Sequence, residues 1–270
     1  MTNRPRPLEL IATPFKGSWR AGAVWALVFA LFIVATVAFW PAFKGSTALN
    51  DALKTLPAAM LQAFGLDDFA TPAGYLRGGL YDVLIPLMFA VAGAMFANSA
   101  TSAEEDAGRI EMYLAQPVTR VAFMTGRIVS TMLWLVVLVI VVLVAQVLSD
   151  VLFDLQIGAN QIISTVVLSG LIGVFSAAIA IAVAGITARP GLVLGVSLTV
   201  AFLGYIVAAL FPISDVLKPW VGISPWDWAL GGDPLVNGGE LWRYLALIVP
   251  SAVLAIVGVV AFNRRDIRAA

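Results

Sequence analysis

Six long runs of apolar residues, almost free of charged side chains, dominate this sequence. About 20 apolar residues are enough to cross a membrane core of about 30 Å as a helix. The composition agrees, since 61% of the residues are hydrophobic and 12% are charged, against about 45–50% and about 25% in soluble domains. We therefore expect an all-α polytopic membrane protein, a bundle of six transmembrane helices. The predicted spans are about 21–43, 80–98, 128–149, 162–187, 192–211 and 241–262.

Lysine and arginine are unevenly distributed between the two sides of these spans. The segments on the side of the termini hold eleven of the 16 basic residues, and positive residues are retained in the cytoplasm. This bias predicts cytoplasmic segments at 1–20 and 263–270, flanking a transmembrane domain over 21–262. We do not expect a cleavable signal peptide, because the first apolar run exceeds the usual signal core of about 7–15 residues.

Several kinds of chemistry are excluded by the residue types present. The chain has no cysteine and no histidine, so thiolate chemistry and imidazole metal ligation are impossible. None of its four lysines follows a glycine, as a phosphate-binding loop requires. We expect no catalytic, metal or cofactor residues in this chain. A net charge of zero also gives no reason to expect a nucleic-acid partner.

Ionisable residues avoid the predicted span interiors. An ion-coupled carrier usually places such groups within the membrane, where they mark a relay or a substrate site. Here only a few lie close to the predicted span edges, namely Asp82, Asp150, Asp154 and Arg243. A secondary carrier is therefore disfavoured unless Asp82 or Arg243 proves to lie at mid-membrane. Uphill movement of a solute would need energy from another subunit.

Small residues and tryptophans indicate how the spans pack. Ser169, Gly173 and Ala177 recur every four residues, as do Gly191 and Gly195, and such spacing allows close helix approach. We expect this packing within one bundle, with a dimer interface as the alternative. Most of the tryptophans fall near predicted membrane interfaces, where aromatic belts anchor a protein. These are Trp40, Trp134, Trp220, Trp226, Trp228 and Trp242.

The segment 104–127 is the charged, amphipathic stretch between the second and third spans. Its pattern predicts a helix over about 102–116, which Pro117 ends because proline cannot sit in a helix interior. Glu105 and Arg109 are expected to pair four residues apart. The opposite face is apolar and holds Ala107, Ile110 and Leu114. Such a helix suits docking to a partner, although a solvated linker is the alternative.

Three groups of residues, by their order along the chain, resemble motifs of type 2 ABC transporter permeases. The inner segment carries Glu104-Glu105, Gly108, Glu111, Leu114, Pro117-Val118-x-Arg120 and Arg127. The tail carries Phe262-x-Arg264-Arg265-Asp266, and the last outer loop carries Ser224-Pro225-Trp226, Gly231-Gly232-Asp233-Pro234-Leu235 and Gly238. The resemblance covers nearly the whole chain. It departs from the family pattern at Arg109, where threonine is usual, and at Ala115-Gln116.

The resemblance implies the membrane subunit of an ATP-driven exporter in the cytoplasmic membrane of a bacterium, with both termini in the cytoplasm. Two such permeases, identical or homologous, would form the pathway through helices one, two and five. Two separate cytoplasmic ABC ATPase subunits would bind ATP and Mg and receive the inner segment as a coupling helix. Because the spans lack embedded charge, we expect an amphiphilic or lipid-like compound or drug as substrate. The alternative is a non-transporting membrane anchor that recruits a soluble partner.

The resemblance also implies which residues contact the ATPase. Apolar contacts are expected from Ile110, Leu114 and Val118, and polar contacts from Glu104, Glu105, Glu111 and Arg120. Gly108 and Pro117 complete the motif.

Overall fold

The computed structural model describes residues 7–44, 55, 69, 71–109 and 118–265. Across these residues the chain is helical and forms no strand. Six helical stretches are long and apolar enough to cross a membrane, which confirms the predicted all-α polytopic fold. They run over Trp19–Phe43, Pro72–Asp106, Arg120–Phe153, Ala159–Ile186, Pro190–Ile213 and Leu241–Arg264. Most of them extend beyond the apolar runs, and the membrane boundaries along them stay a prediction.

The α-helices are numbered along the chain, and short non-α turns join some of them. A π-helical turn covers Arg77–Tyr81, and two 3-10 turns cover Phe211–Ile213 and Lys218–Ile223. The α-helices are α1 Pro7–Gly17, α2 Trp19–Ala38, α3 Trp40–Phe43, α4 Pro72–Leu76, α5 Leu84–Ala100, α6 Ser102–Asp106, α7 Arg120–Phe153, α8 Ala159–Ile186, α9 Pro190–Leu210, α10 Pro225–Leu230, α11 Pro234–Asn237 and α12 Leu241–Arg264.

Helix α8 occupies the centre of the bundle. Its most apolar stretch is 72% buried, against 22% for the stretches containing α2, α9 and α12. It packs against α5, α7, α9 and α12. A helix that is apolar on every side can be buried all round, and α8 carries no charged residue. The composition of α8 is therefore compatible with its central position.

Glycines bring α8 into backbone contact with two neighbours. A Cβ atom built on Gly93 of α5 would lie 2.2 Å from the carbonyl oxygen of Gly173. Near the C-terminal end of α8, a Cβ on Gly185 would lie 2.2 Å from the carbonyl oxygen of Gly258 in α12. Gly173 thus packs inside one chain, as expected. A Cβ on Gly195, by contrast, would meet no described atom within 4 Å apart from the adjacent residues and backbone of its own helix.

Helix α1 is a short amphipathic helix that packs against α7. Phe15 stacks on Trp134 with ring centroids 4.6 Å apart, and the indole Nε1 of Trp134 donates to the carbonyl oxygen of Phe15 over 3.1 Å. The expectation that Trp134 anchors the protein at the membrane interface is wrong, because the ring is buried inside the protein. Trp40 and Trp226 are buried in the same way, while Trp220 and Trp242 are exposed.

Candidate functional site

The chain turns sharply where the inner segment begins. Helix α6 ends at Asp106, and Gly108 has a backbone φ of 69°. This left-handed conformation suits glycine because it has no Cβ, and it interrupts the single helix expected over 102–116. Gly108 and Arg109 are exposed. Four predicted coupling residues lie outside the described residues, namely Ile110, Glu111, Leu114 and Pro117.

A buried ion pair joins α6 to α7 beside this turn. The Nη2 atom of Arg127 lies 2.5 Å from Oε2 of Glu104, and the two side chains are only 2% and 13% exposed. The guanidinium also lies 4.6 Å from the ring centroid of Phe123, a distance at which a cation is attracted to an aromatic face. Glu104 is therefore held inside the protein by α7.

A second ion pair joins α6 to the end of α12. Glu105 accepts a hydrogen bond from Nη2 of Arg265, instead of the Arg109 that helical spacing predicted. Their side chains are 12% and 17% exposed. Beneath the pair, Phe262 stacks on Phe123 with centroids 5.9 Å apart. The tail motif and the inner segment, separate in the sequence, therefore meet in one cluster.

The first residue of α7 also contacts the end of α12. Arg120 donates through Nη1 to the carbonyl oxygen of Arg265 over 2.6 Å and to that of Asn263 over 3.5 Å. Thr119 caps α7 by accepting from the backbone N–H of Ala122 over 3.1 Å. The last carbonyls of a helix have no intrahelical donor, and Arg120 supplies one.

We call this group the inner clasp. It comprises Glu104, Glu105, Arg120, Phe123, Arg127, Phe262 and Arg265. Three of these residues, Glu104, Glu105 and Arg120, are predicted coupling residues. The sequence motifs include Arg127, Phe262 and Arg265, but they do not show the pairings, because helical spacing reveals only partners within one helix. Val118, another predicted contact, is half-buried and packs against the core.

The opposite end of the bundle holds a separate set of charges. Arg77 lies 2.7 Å from Asp233 of the last outer loop and 3.9 Å from Asp82. Arg243, in the first turn of α12, pairs with Glu240 at 2.9 Å and donates to the carbonyl oxygen of Asp227. Asp82 and Arg243 thus lie close to groups of the loops at this end of the bundle, and their depth in the membrane stays a prediction.

Two carboxyl groups of the last outer loop have shifted pKa values. Burial raises the pKa of Asp227, and the charge of Arg243 opposes that shift. The pKa of Glu240 is lowered by hydrogen bonds from the side chains of Arg243 and Trp242. The guanidinium of Arg243 therefore favours the charged form of both groups and holds the outer loop onto α12.

Comparison with known proteins gives one informative result. No curated protein matches the chain. The family described as ABC-2 family transporter protein matches residues 9–218, which include the inner segment and the first five spans but end before α12. More than half of the sequence is matched, and the six spans agree with the architecture expected of such a permease. The chain therefore belongs to the ABC-2 transporter family, as a membrane permease component of an ABC transporter.

Proposed function

We propose that this chain is the membrane subunit of an ATP-driven exporter, working as a pair of permeases with two separate cytoplasmic ABC ATPase subunits. The observation that carries this proposal is the inner clasp, which anchors the residues on both sides of the segment 110–117. A segment that passes movement between subunits needs firm attachment to its own bundle. ATP and Mg would bind in the partner subunits, and the permease would sit in a bacterial cytoplasmic membrane with both termini inside.

The proposed coupling is a shift between two arrangements of the permease pair. ATP binding would draw the ATPase subunits together, and hydrolysis would release them. A ligand shifts such an equilibrium only by its difference in affinity for the two arrangements. The segment 110–117 would convey that difference if its apolar residues Ile110 and Leu114 occupy a cleft of the ATPase and its flanks are fixed by the inner clasp.

The substrate we propose is amphiphilic or lipid-like. Ionisable side chains in the six spans lie toward their ends, as with Arg77 and Asp82 at one end and Glu104 and Arg127 at the other. Helices α8 and α9 contain no aspartate, glutamate, lysine or arginine. A charged solute would need compensating groups along its route because unpaired charge is costly within a membrane. A route without such groups favours a solute with a large apolar part.

Charging the apolar face of the inner segment tests the proposal. We expect the double variant Ile110→Asp plus Leu114→Asp to lose co-purification with the ABC ATPase encoded beside this chain and to lose stimulated ATP hydrolysis. Burying a carboxylate without a partner is strongly unfavourable, so the charged segment should leave the cleft. The measurement is ATPase activity of the complex reconstituted in lipid, with folding of the variant checked by gel filtration.

A matched control adds negative charge at the same end of the bundle. Thr13 and Lys16 lie on the exposed face of α1, and the double change Thr13→Asp plus Lys16→Asp should leave the complex intact. An unchanged complex in the Ile110/Leu114 variant would show that the segment is only a solvated linker. If the parent chain forms the complex but no substrate stimulates its ATP hydrolysis, the alternative of a non-transporting membrane anchor is favoured.

A further inference from the structure

We propose that the end of α12 is part of the coupling apparatus, with Arg265 as a positioning residue that holds the inner segment in place for the ATPase. This inference rests on the proposed function. It assigns a role to a stretch that lies beyond the residues 9–218 matched by the family.

The end of α12 holds both flanks of the inner segment. On the side before the segment, Arg265 pairs with Glu105 of α6. On the side after it, Arg120 at the start of α7 donates to the carbonyl oxygens of Arg265 and Asn263. A cation at a helix C-terminus is also favoured by the helix dipole. The described residues on both sides of 110–117 are therefore fastened to the same end of α12.

The buried carboxylates are poorly placed to bind a partner directly. Glu104 and Glu105 are 13% and 12% exposed, and each already faces an arginine. A partner could recruit either carboxylate only by leaving that arginine without its partner, which is costly for a buried charge. Asp106 and Arg109 are exposed and are better placed for contacts between subunits. The clasp thus serves to position the segment, in place of the direct polar contacts expected of Glu104, Glu105 and Arg120.

Helix α12 also links the clasp to the centre of the bundle. Phe262 is buried against Phe123 of α7. About one turn of α12 away, Gly258 approaches α8 so closely that a Cβ on Gly258 would lie 2.6 Å from the carbonyl oxygen of Ile181. Packed interiors yield little to small displacements. A push on the inner segment would therefore be passed to α12 and α8 together.

A charge exchange tests whether Glu105 and Arg265 act on each other. We expect Glu105→Arg and Arg265→Glu each to lower substrate-stimulated ATP hydrolysis by about tenfold, a common size for coupling between sites. The exchange of both charges in one chain should restore most of the activity. If Glu105 contacted the ATPase directly, the exchange would not rescue it, and that result would overturn the proposal. Single variants as active as the parent would overturn it as well.

A crosslink at the same two positions separates this inference from the proposed function. The chain contains no cysteine, so the pair Glu105→Cys plus Arg265→Cys provides its only thiols. A short bis-methanethiosulfonate reagent should join them in membranes, whether or not the ATPase is present. If the two cysteines do not crosslink, the inner clasp is wrong. If they crosslink but the cysteine-free parent chain never stimulates the ATPase, only the proposed function is wrong.

ATP hydrolysis by the complex that contains the crosslinked chain shows whether the inner clasp stays closed during the cycle or has to open. The crosslinked chain lacks both charges, but we expect it to keep substrate-stimulated ATP hydrolysis, because the reagent replaces the ion pair as a tether. Its stimulated hydrolysis should therefore exceed that of the same chain before crosslinking and should fall again after dithiothreitol. Hydrolysis that is abolished by the crosslink and regained after dithiothreitol would overturn the positioning role.

Discussion

Replacing Arg127 with methionine is expected to destabilise the bundle by about 3–5 kcal/mol, the usual cost of removing one member of a buried ion pair. Methionine keeps much of the side-chain volume but removes the guanidinium that faces the carboxylate of Glu104. The site is closed to solvent, since the side chain of Arg127 is only 2% exposed in the parent chain. The change also removes the cation from the face of Phe123. The measurement is thermal unfolding in detergent, followed by tryptophan fluorescence.

The double variant Glu104→Gln plus Arg127→Met is the control for this prediction. It removes both charges, and replacing both members of a buried pair is often close to neutral. We expect it to be more stable than Arg127→Met alone. If the single and double variants unfold at the same temperature, the loss arises from the shape of residue 127 and the ion pair is unimportant.

Adding one methyl group at Gly93 is the second change with a large expected effect. The new Cβ of Gly93→Ala would lie 2.2 Å from the carbonyl oxygen of Gly173, a backbone atom that cannot turn aside. The two helices must separate, and overpacking of this kind costs about 1–3 kcal/mol. We expect a lower unfolding temperature and a lower yield of folded protein from membranes.

Gly195→Ala is the matched control, since it makes the same chemical change in another span. A Cβ there would have no described atom within 4 Å. Glycine in a helix interior is about 0.5–1 kcal/mol less favourable than alanine, so this variant should be neutral or slightly stabilised. Equal losses for Gly93→Ala and Gly195→Ala would contradict the close crossing of α5 and α8.

The spans could be predicted because each is a local property of the sequence. An apolar run such as 162–187 needs no knowledge of its neighbours to be assigned to a membrane. The helix ends were harder to place, since they depend on single residues. Helix α7 begins at Arg120, eight residues before the predicted span, because Thr119 caps it and Arg127 finds a partner inside the protein.

The candidate site was only partly predictable. The charged inner segment was recognisable from its pattern, and the family resemblance pointed to the same residues. Helical spacing then paired Glu105 with Arg109, whereas the structure pairs Glu105 with Arg265. A left-handed Gly108 removes the helix on which the first pairing depended. A partner 160 residues away leaves no trace in local periodicity, so only the folded chain could reveal it.

The distance along the chain between the two halves of the inner clasp bears on how the protein is made. Chains fold from the N-terminus as they are synthesised, and α7, α8 and α9 all precede the helix that brings Arg265 to α6. Contacts between such distant residues are slow to form because of the entropy of closing a long loop. During synthesis, the pair of Glu104 with Arg127 can form first, and the inner clasp is completed only after α12 has been inserted.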